Sequence, residues 1–308
     1  MSYRSASEHY KEIFGEKVYR IALDAGCTCP NRDGTKGRGG CIFCSGSGSG
    51  EFAADRTLDV PAQLALAKTR VEQKCKSHKY IAYFQNFTNT YGDEETLKEK
   101  FEAALSDPEV VGLSIATRPD SISEKMYRIL EDLAQKTYVW IELGLQTIHE
   151  ETAVWFHRGY DLSAFEQAVE RLSKLSGHLE TIVHVILDFP VETKDMMLET
   201  IRYCSNLPIQ GIKIANLNVL RDTELAVLFE QKPFPLMDMD EYIDFLCTVV
   251  ENIREDIVIY RMTGDGDKKH LIAPLWVANK RMVRNRITQE FHLRKIEQGR
   301  NFRPCPKE

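Results

Sequence analysis

The chain has no uninterrupted apolar stretch approaching the roughly 20 residues that a helix needs to cross a bilayer, which excludes a membrane-spanning helix. Its opening, MSYRSASEHYKEIFGEK, carries charge where a secretory leader carries an apolar core, so the cytoplasm is the expected compartment. Outside one cluster, cysteine is sparse: Cys75, Cys204, Cys247 and Cys305 stand singly among 308 residues, too few for a disulfide scaffold. Positive charge is not in excess either, since 40 Lys and Arg against 46 Asp and Glu leave a net −6, which argues against indiscriminate nucleic-acid binding. Low-complexity sequence is confined to SGSGSG at 45–50, read as a mobile loop and not as a domain linker. With 43% hydrophobic and 28% charged residues, what remains is a soluble globular chain, long enough for one large domain or a domain plus an appendage.

What the chain does have is a glycine-laced segment, CPNRDGTKGRGGCIFC, carrying Cys29, Cys41 and Cys44 directly after a short apolar run. Three clustered thiolates are an unusual count, because a closed zinc site takes four ligands whereas an iron–sulfur cluster that does chemistry leaves one iron free. Cys27 lies two residues before Cys29 and completes a set of four, so a structural zinc site stays open at this point. Charge is also uneven: from Lys268 onward eleven Lys and Arg face three Glu, a local +8 that leaves −14 for residues 1–267. Such a tail is either a phosphate-backbone contact or a merely solvated helical face.

Apolar, β-rich runs recur at 18–23, 79–84, 110–116, 137–143, 181–187, 211–216 and 257–261. Helix-period stretches occupy 59–76, 94–106, 123–135, 162–175, 194–206 and 239–253 between them. This rhythm predicts an α/β fold with a parallel β/α array, in which residues just past each strand converge on one rim. The polar residues at those places are Thr88 and Asn89, Thr117 and Arg118, Gln146 and Thr147, Asp188, and Asn216 to Asn218, all expected around the cysteine loop.

Taken together, FGEKVYRIALDAGCTCPNRDGTKGRGGCIFC, YFQNFTNTY, SIATRPDSI, ELGLQT, HRGYD, RMTGDG and LIAPLW resemble a radical S-adenosylmethionine (radical SAM) enzyme. The resemblance is to the bacterial group related to the radical SAM part of the Elongator catalytic subunit; it spans roughly residues 10–290, and the long spacing between Cys29 and Cys41 is characteristic of that group. It implies a partial (β/α)6 TIM-like barrel over 1–255 with an N-terminal cluster loop, and a short capping extension with a basic tail over 256–308. It further implies a 4Fe-4S cluster held by Cys29, Cys41 and Cys44, with SAM chelating the fourth iron and Cys27 a bystander.

For SAM, the resemblance implies Phe43 at the adenine edge, Thr88 and Asn89 at the amino group, and Gln146 at the ribose, with Arg158, twelve residues later, on the carboxylate. Thr117, Arg118 and Glu142 join the expected cofactor-binding set, as does His184. Read as bare residues, Phe43 and His184 are equally at home in a core. Arg261, Asp265 and Lys280 are the expected substrate-side polar groups, although Lys280 in KRMVRNR also reads as plain surface helix. Two stretches depart from the family pattern: LDFPVET has Asp188 and Val191 where small residues are usual, and IKIANLNVLRDTELA has Ala215, Asn216 and Asn218 where histidines are usual. These departures bear on the substrate more than on the cofactor.

The expected activity is reductive cleavage of SAM followed by modification of tRNA at the C5 side chain of wobble uridine. Because 308 residues leave no room for Elongator's acetyltransferase, the expectation is remodelling of an existing group, such as trimming carboxymethylaminomethyl to aminomethyl. The expected electron donor is a flavodoxin or ferredoxin. Two alternatives stand beside this: radical SAM chemistry on a small molecule or peptide, and a non-catalytic zinc-binding module.

Overall fold

A computed structural model describes residues 2–48, 53–73, 76–264, 266 and 268–304. Its strands are β1 (Tyr19–Leu23), β2 (Tyr80–Phe84), β3 (Val110–Thr117), β4 (Tyr138–Gln146), β5 (Leu179–Leu187), β6 (Gly211–Asn216), β7 (Val219–Leu220), β8 (Val258–Arg261) and β9 (Leu271–Ala273). The helices are α1 (Ala6–Phe14), α2 (Val60–Val71), α3 (Glu94–Leu105), α4 (Glu124–Lys136), α5 (Glu150–Trp155), α6 (Leu162–Ser173), α7 (Lys194–Asn206), α8 (Glu224–Gln231), α9 (Met239–Glu251) and α10 (Lys280–Leu293). Most helices start where a Ser, Thr or Asp accepts a backbone N–H of the first turn, as Asp59, Asp93, Ser123, Asp161, Thr193, Thr223 and Asp238 do.

Seven parallel strands form one sheet in the order β1-β2-β3-β4-β5-β6-β8, a curled α/β half-barrel. Leu23, Phe84, Ile115, Ile141, Val183, Ile212 and Ile259 point outward into the main core under the helices. On the inner face, α1 plugs one end, packing Tyr10 edge-on against Trp140 with ring centroids 5.4 Å apart. The loops that leave the strands gather at the other end. The expected strand and helix runs are all present, including 257–261, which the sequence reading assigns to the extension yet which pairs parallel with β6 as the edge strand of the barrel. Short elements escape the period analysis: α1, α5, α8 and the two-stranded antiparallel β7-β9 pair that pins the C-terminal segment beside the end of β6. Of these, α1 leaves a readable trace in its Ser5-to-Glu8 capping box. The last two residues of the 45–50 segment lie outside the described residues.

Two irregularities in the sheet aim side chains inward. The register slips between Gly144 and Gln146 on β4, where Gln146 has φ 72°. It slips again at Ile212/Lys213, bringing Arg261 of β8 opposite Lys213. Bulges of this kind re-aim one side chain at the rim of a barrel.

Candidate active site

Cys29, Cys41 and Cys44 line one cavity of about 510 Å³ at the open end of the half-barrel. The loop that carries them is held by its own backbone, with Arg32 N–H donating to Cys29 O at 2.8 Å and Cys44 N–H to Cys41 O at 2.9 Å. It is seated on the α5–α6 turn. Ile42 N–H donates to Phe156 O at 3.1 Å, and the buried Asn31 amide donates to His157 O at 2.6 Å and reaches Cys41 Sγ at 3.8 Å. Gly159 completes the seat: at φ 73° a Cβ there would stand 2.7 Å from Asn31 Oδ1, so only glycine lets the two segments close. Phe43 lines the cavity with one side and packs the other against Phe156 and Phe189, at 5.3 and 6.3 Å between centroids.

Cys27 turns the other way. It lines a separate cavity near Lys100 and Thr90, where burial pushes its thiol up to about 11. Four thiols therefore do not face one point, and the closed zinc site is not built. Among the described residues no three His, Cys, Asp or Glu side chains converge as a single metal ion requires. Three thiols that share a cavity without converging fit a cluster whose ligands sit on separate irons. Burial, with Cys44 second, raises the Cys41 thiol to about 12, so ligation there would have to displace a proton.

Deeper in the barrel, two residues beyond Trp140, Glu142 is wholly buried. It accepts from Ser114 Oγ at 2.7 Å, Tyr83 OH at 2.9 Å and His184 Nε2 at 2.8 Å, and it is paired with Arg20 and Lys213. Burial alone would push this carboxyl up, but Arg20, Lys213 and His184 together outweigh it and hold it well below the usual range. Lys213 is driven well below its ordinary value, first by burial and then by the Arg20 charge. His184 is lowered to about 4, mainly by burial, so its neutral ring donates to Glu142.

That shift has a pH consequence. An unfolded histidine binds a proton near pH 6.5 whereas folded His184 does not until about pH 4, so the unfolded state holds the extra proton in between. Stability contributed by this residue is therefore present above pH 6.5 and lost as pH falls toward 4, by at most about 3 kcal/mol. Denaturant midpoints of the parent and His184→Gln, compared from pH 7 to 4.5, should diverge in the parent's disfavour as acid is added; parallel curves would show that the ring titrates normally.

Thr88, Thr117, Arg118, Gln146, Arg158 and His184 all line the same cavity. Gln146 is the most telling of them, because its amide has no partner among the described residues while its backbone is held in the left-handed region. Of the residues expected around SAM, Asn89 alone lies away from this cavity. Asn89 is fully buried behind the rim, its amide donating to Phe84 O, Asn86 O and Ala116 O, so it braces the ends of β2 and β3 and does not line the cavity. Arg158 is 2% exposed and donates to Tyr160 O at 2.9 Å, Thr147 O at 2.8 Å and Glu150 at 2.7 Å. Arg118 is bidentate on Asp120 and also donates to Arg158 O at 2.8 Å. These two arginines brace the turn that seats the cysteine loop.

Lys280 opens α10 and lines a different cavity, while Arg261 lines both. Asp265 lies outside the described residues. Asp188, the departure after β5, accepts from Met237 N–H at 2.9 Å, and burial pushes its carboxyl up to about 6. Sequence reasoning misses Arg20, Tyr83, Ser114, Lys213 and Asn31. For Arg20 and Lys213 a signal exists: each is the lone cation of an otherwise apolar strand run, and β6 is buried throughout, where a charge must find a partner.

The Radical SAM superfamily profile matches residues 31–204, and the Radical_SAM C-terminal domain profile matches residues 209–292. The uncharacterized protein YtqA of Bacillus subtilis is 42% identical over 99% of this chain and 94% of its own length. Elongator complex protein 3 of Schizosaccharomyces pombe is 22% identical over 61% of this chain and 34% of its own. In fold, the chain is similar to the Elp3 of Methanocaldococcus infernus, with a TM-score of 0.66 and 15% identity over 91% of this chain and 64% of that one. The chain belongs to the radical SAM superfamily: it is a radical SAM enzyme, and its cofactors are a 4Fe-4S cluster and SAM.

Proposed function

We propose that this enzyme acts on tRNA, at the C5 side chain of wobble uridine, and trims carboxymethylaminomethyl to aminomethyl. The observation that carries the reading is a second cavity, of about 680 Å³, between β8 and α10, lined by Arg281 and Arg284 and sharing Tyr260 and Arg261 with the cysteine-lined one. A basic surface thus opens beside the reaction cavity, as a phosphate-bearing substrate requires. Kinship with Elongator complex protein 3 supports the same reading.

Within it, Cys29, Cys41 and Cys44 hold the cluster, and Phe43, Thr88 and Gln146 contact SAM. Arg158 and Arg118 act as positioning residues. Held there and reduced by a donor of the flavodoxin or ferredoxin type in the cytoplasm, the cluster would supply the electron for SAM cleavage. The substrate's N–CH2–COO⁻ methylene would give up a hydrogen atom to the 5′ carbon of SAM's adenosyl group and then one electron back to the oxidised cluster, leaving an iminium that water splits into the aminomethyl product and glyoxylate. Two electrons leave the substrate and two enter SAM, so the reaction balances without a further oxidant. Methionine, 5′-deoxyadenosine and glyoxylate should accumulate in a 1:1:1 ratio with carboxymethylaminomethyl tRNA; 5′-deoxyadenosine formed without glyoxylate would overturn the trimming reaction.

The three arginines of α10 are not equivalent. Arg286 is tied to Asp240 at 3.2 Å and Glu290 at 2.7 Å, whereas Arg281 and Arg284 have no ion pair among the described residues. Neutralising Arg281 and Arg284 should weaken tRNA binding and lower the slope of log affinity against log salt by about 1–2, and Arg286→Gln should change the slope much less. Equal salt slopes in the double variant and the parent would show this face to be merely solvated and leave a small-molecule or peptide substrate ahead.

A further inference from the structure

Glu142 is the one carboxylate among the described residues that line the cysteine cavity, which Arg20, Arg32, Arg118, Arg158, Lys213 and Arg261 also line. Both its oxygens are occupied: Oε1 by Arg20 and Ser114, Oε2 by Tyr83, His184 and Lys213. Arg118 and Arg158 have acceptors elsewhere in the protein, and Arg32 is held on Cys44 O and Ser45 O. Arg261 alone of the six has none: no hydrogen bond or ion pair reaches its side chain among the described residues, and its Nε is buried without a partner. It stands beside another cation, because His184, Lys213 and Arg261 pair laterally across β5, β6 and β8. Its charge is close enough to push both His184 and Lys213 down.

The adjoining segment points the same way. Asn218 uses its Oδ1 to accept from Asn216 at 2.7 Å, while its Nδ2 has no acceptor among the described residues. The segment after β8 is tied down at this spot, with Gly264 N–H donating to Asn216 Oδ1 at 2.9 Å; a Cβ on Gly264 would meet Asn218 Nδ2 at 2.5 Å. A half-buried guanidinium and an amide donor therefore face the cavity with no acceptor among the described residues. Buried donors left unmatched are costly, and a guanidinium fork matches a carboxylate through two parallel bonds.

We propose that Arg261, assisted by the Asn218 amide, forms an anion subsite on the β6–β8 wall that takes the carboxylate of the substrate's carboxymethylamino group. This rests on the trimming reaction proposed above. Held there, the carboxylate fixes the adjacent methylene relative to the cysteine loop, and the enzyme discriminates the untrimmed side chain from the aminomethyl product, which lacks the anion. Arg261 is then a specificity-determining residue.

The test uses the reconstituted enzyme and reads equilibrium binding. N-methylglycine stands for the tip of the side chain, methylamine for the same tip without carboxylate, and inorganic phosphate for a competing anion. N-methylglycine should bind the parent, and Arg261→Gln should weaken it about tenfold or more, with Arg261→Lys intermediate because it keeps the charge but not the fork. Methylamine should not bind. Retention of N-methylglycine binding in Arg261→Gln, or displacement by phosphate at lower concentration than by N-methylglycine itself, overturns the carboxylate subsite.

A second arm compares anticodon stem-loops carrying the carboxymethylaminomethyl or the aminomethyl group. The parent should prefer the former, and Arg261→Gln should abolish the preference while leaving affinity for the aminomethyl stem-loop unchanged. An equal loss for both would assign Arg261 to the RNA backbone instead. If neither stem-loop binds the parent while N-methylglycine binding still depends on Arg261, the tRNA reading fails and the subsite stands. Because the Arg261 side chain has no partner among the described residues, Arg261→Gln should keep the parent's thermal midpoint; were it to misfold, Asn218→Ala, expected to weaken N-methylglycine severalfold, carries the same test.

Discussion

Alanine at Cys29, Cys41 or Cys44 is expected to abolish the iron–sulfur absorption after anaerobic reconstitution and to reduce SAM cleavage to background, while Cys27→Ala keeps both. The three thiols line one cavity and Cys27 lines another, so only the former can reach a shared cluster. A cluster with one open iron has no spare thiolate, and losing a ligand exposes a second iron to solvent and to loss. Cys27→Ala removes a sulfur from a buried site beside the main core and should cost stability on the order of 1 kcal/mol. Iron and sulfide analysis with visible spectra decides it; a full cluster in Cys41→Ala sinks the assignment, and loss of the cluster in Cys27→Ala restores the four-cysteine site.

The second large effect is on the fold. Glu142→Ala strips the shared partner from Arg20, Lys213, Tyr83, His184 and Ser114 at once and leaves two cations together inside the barrel. Breaking a buried ion pair from one side costs about 3–5 kcal/mol, since the remaining charge keeps its desolvation penalty and loses its compensation. Glu142→Ala is expected to lower stability by about that amount, and Glu142→Gln, which still accepts hydrogen bonds, by somewhat less. Adding Lys213→Met to Glu142→Gln should recover part of the loss by removing one stranded cation, a coupling visible in a double-mutant cycle. Denaturant unfolding that leaves Glu142→Ala within about 1 kcal/mol of the parent would show the network to be solvated.

Much of this architecture is legible in the linear chain. Each barrel strand is an apolar run bounded by polar residues, and the helices between carry a clear period, so the rhythm and with it the parallel half-barrel can be read directly. The cysteine triplet is legible because its members lie within 16 residues of one another, with a spacing that has few chemical uses. Short elements such as α5 and β7 hold too few residues to show a period. The edge strand β8 is recognisable as a strand but not as part of the barrel, since pairing is invisible one segment at a time.

The site's interior divides along the same line. By itself the chain determined that a half-barrel would bring a three-thiolate loop to one rim, because local periodicity and close-spaced ligands are properties of neighbours. Only the tertiary structure decided which polar residues do what. Arg20 and Glu142 are 122 residues apart, and Lys213 and Glu142 are 71 apart, so their pairing exists only once the strands lie side by side. Arg158 and Arg261 look alike as letters; one is held by two backbone carbonyls and the Glu150 carboxylate beneath the cysteine loop, the other faces the cavity with no acceptor among the described residues, and that difference is set by which groups the fold leaves within hydrogen-bond reach.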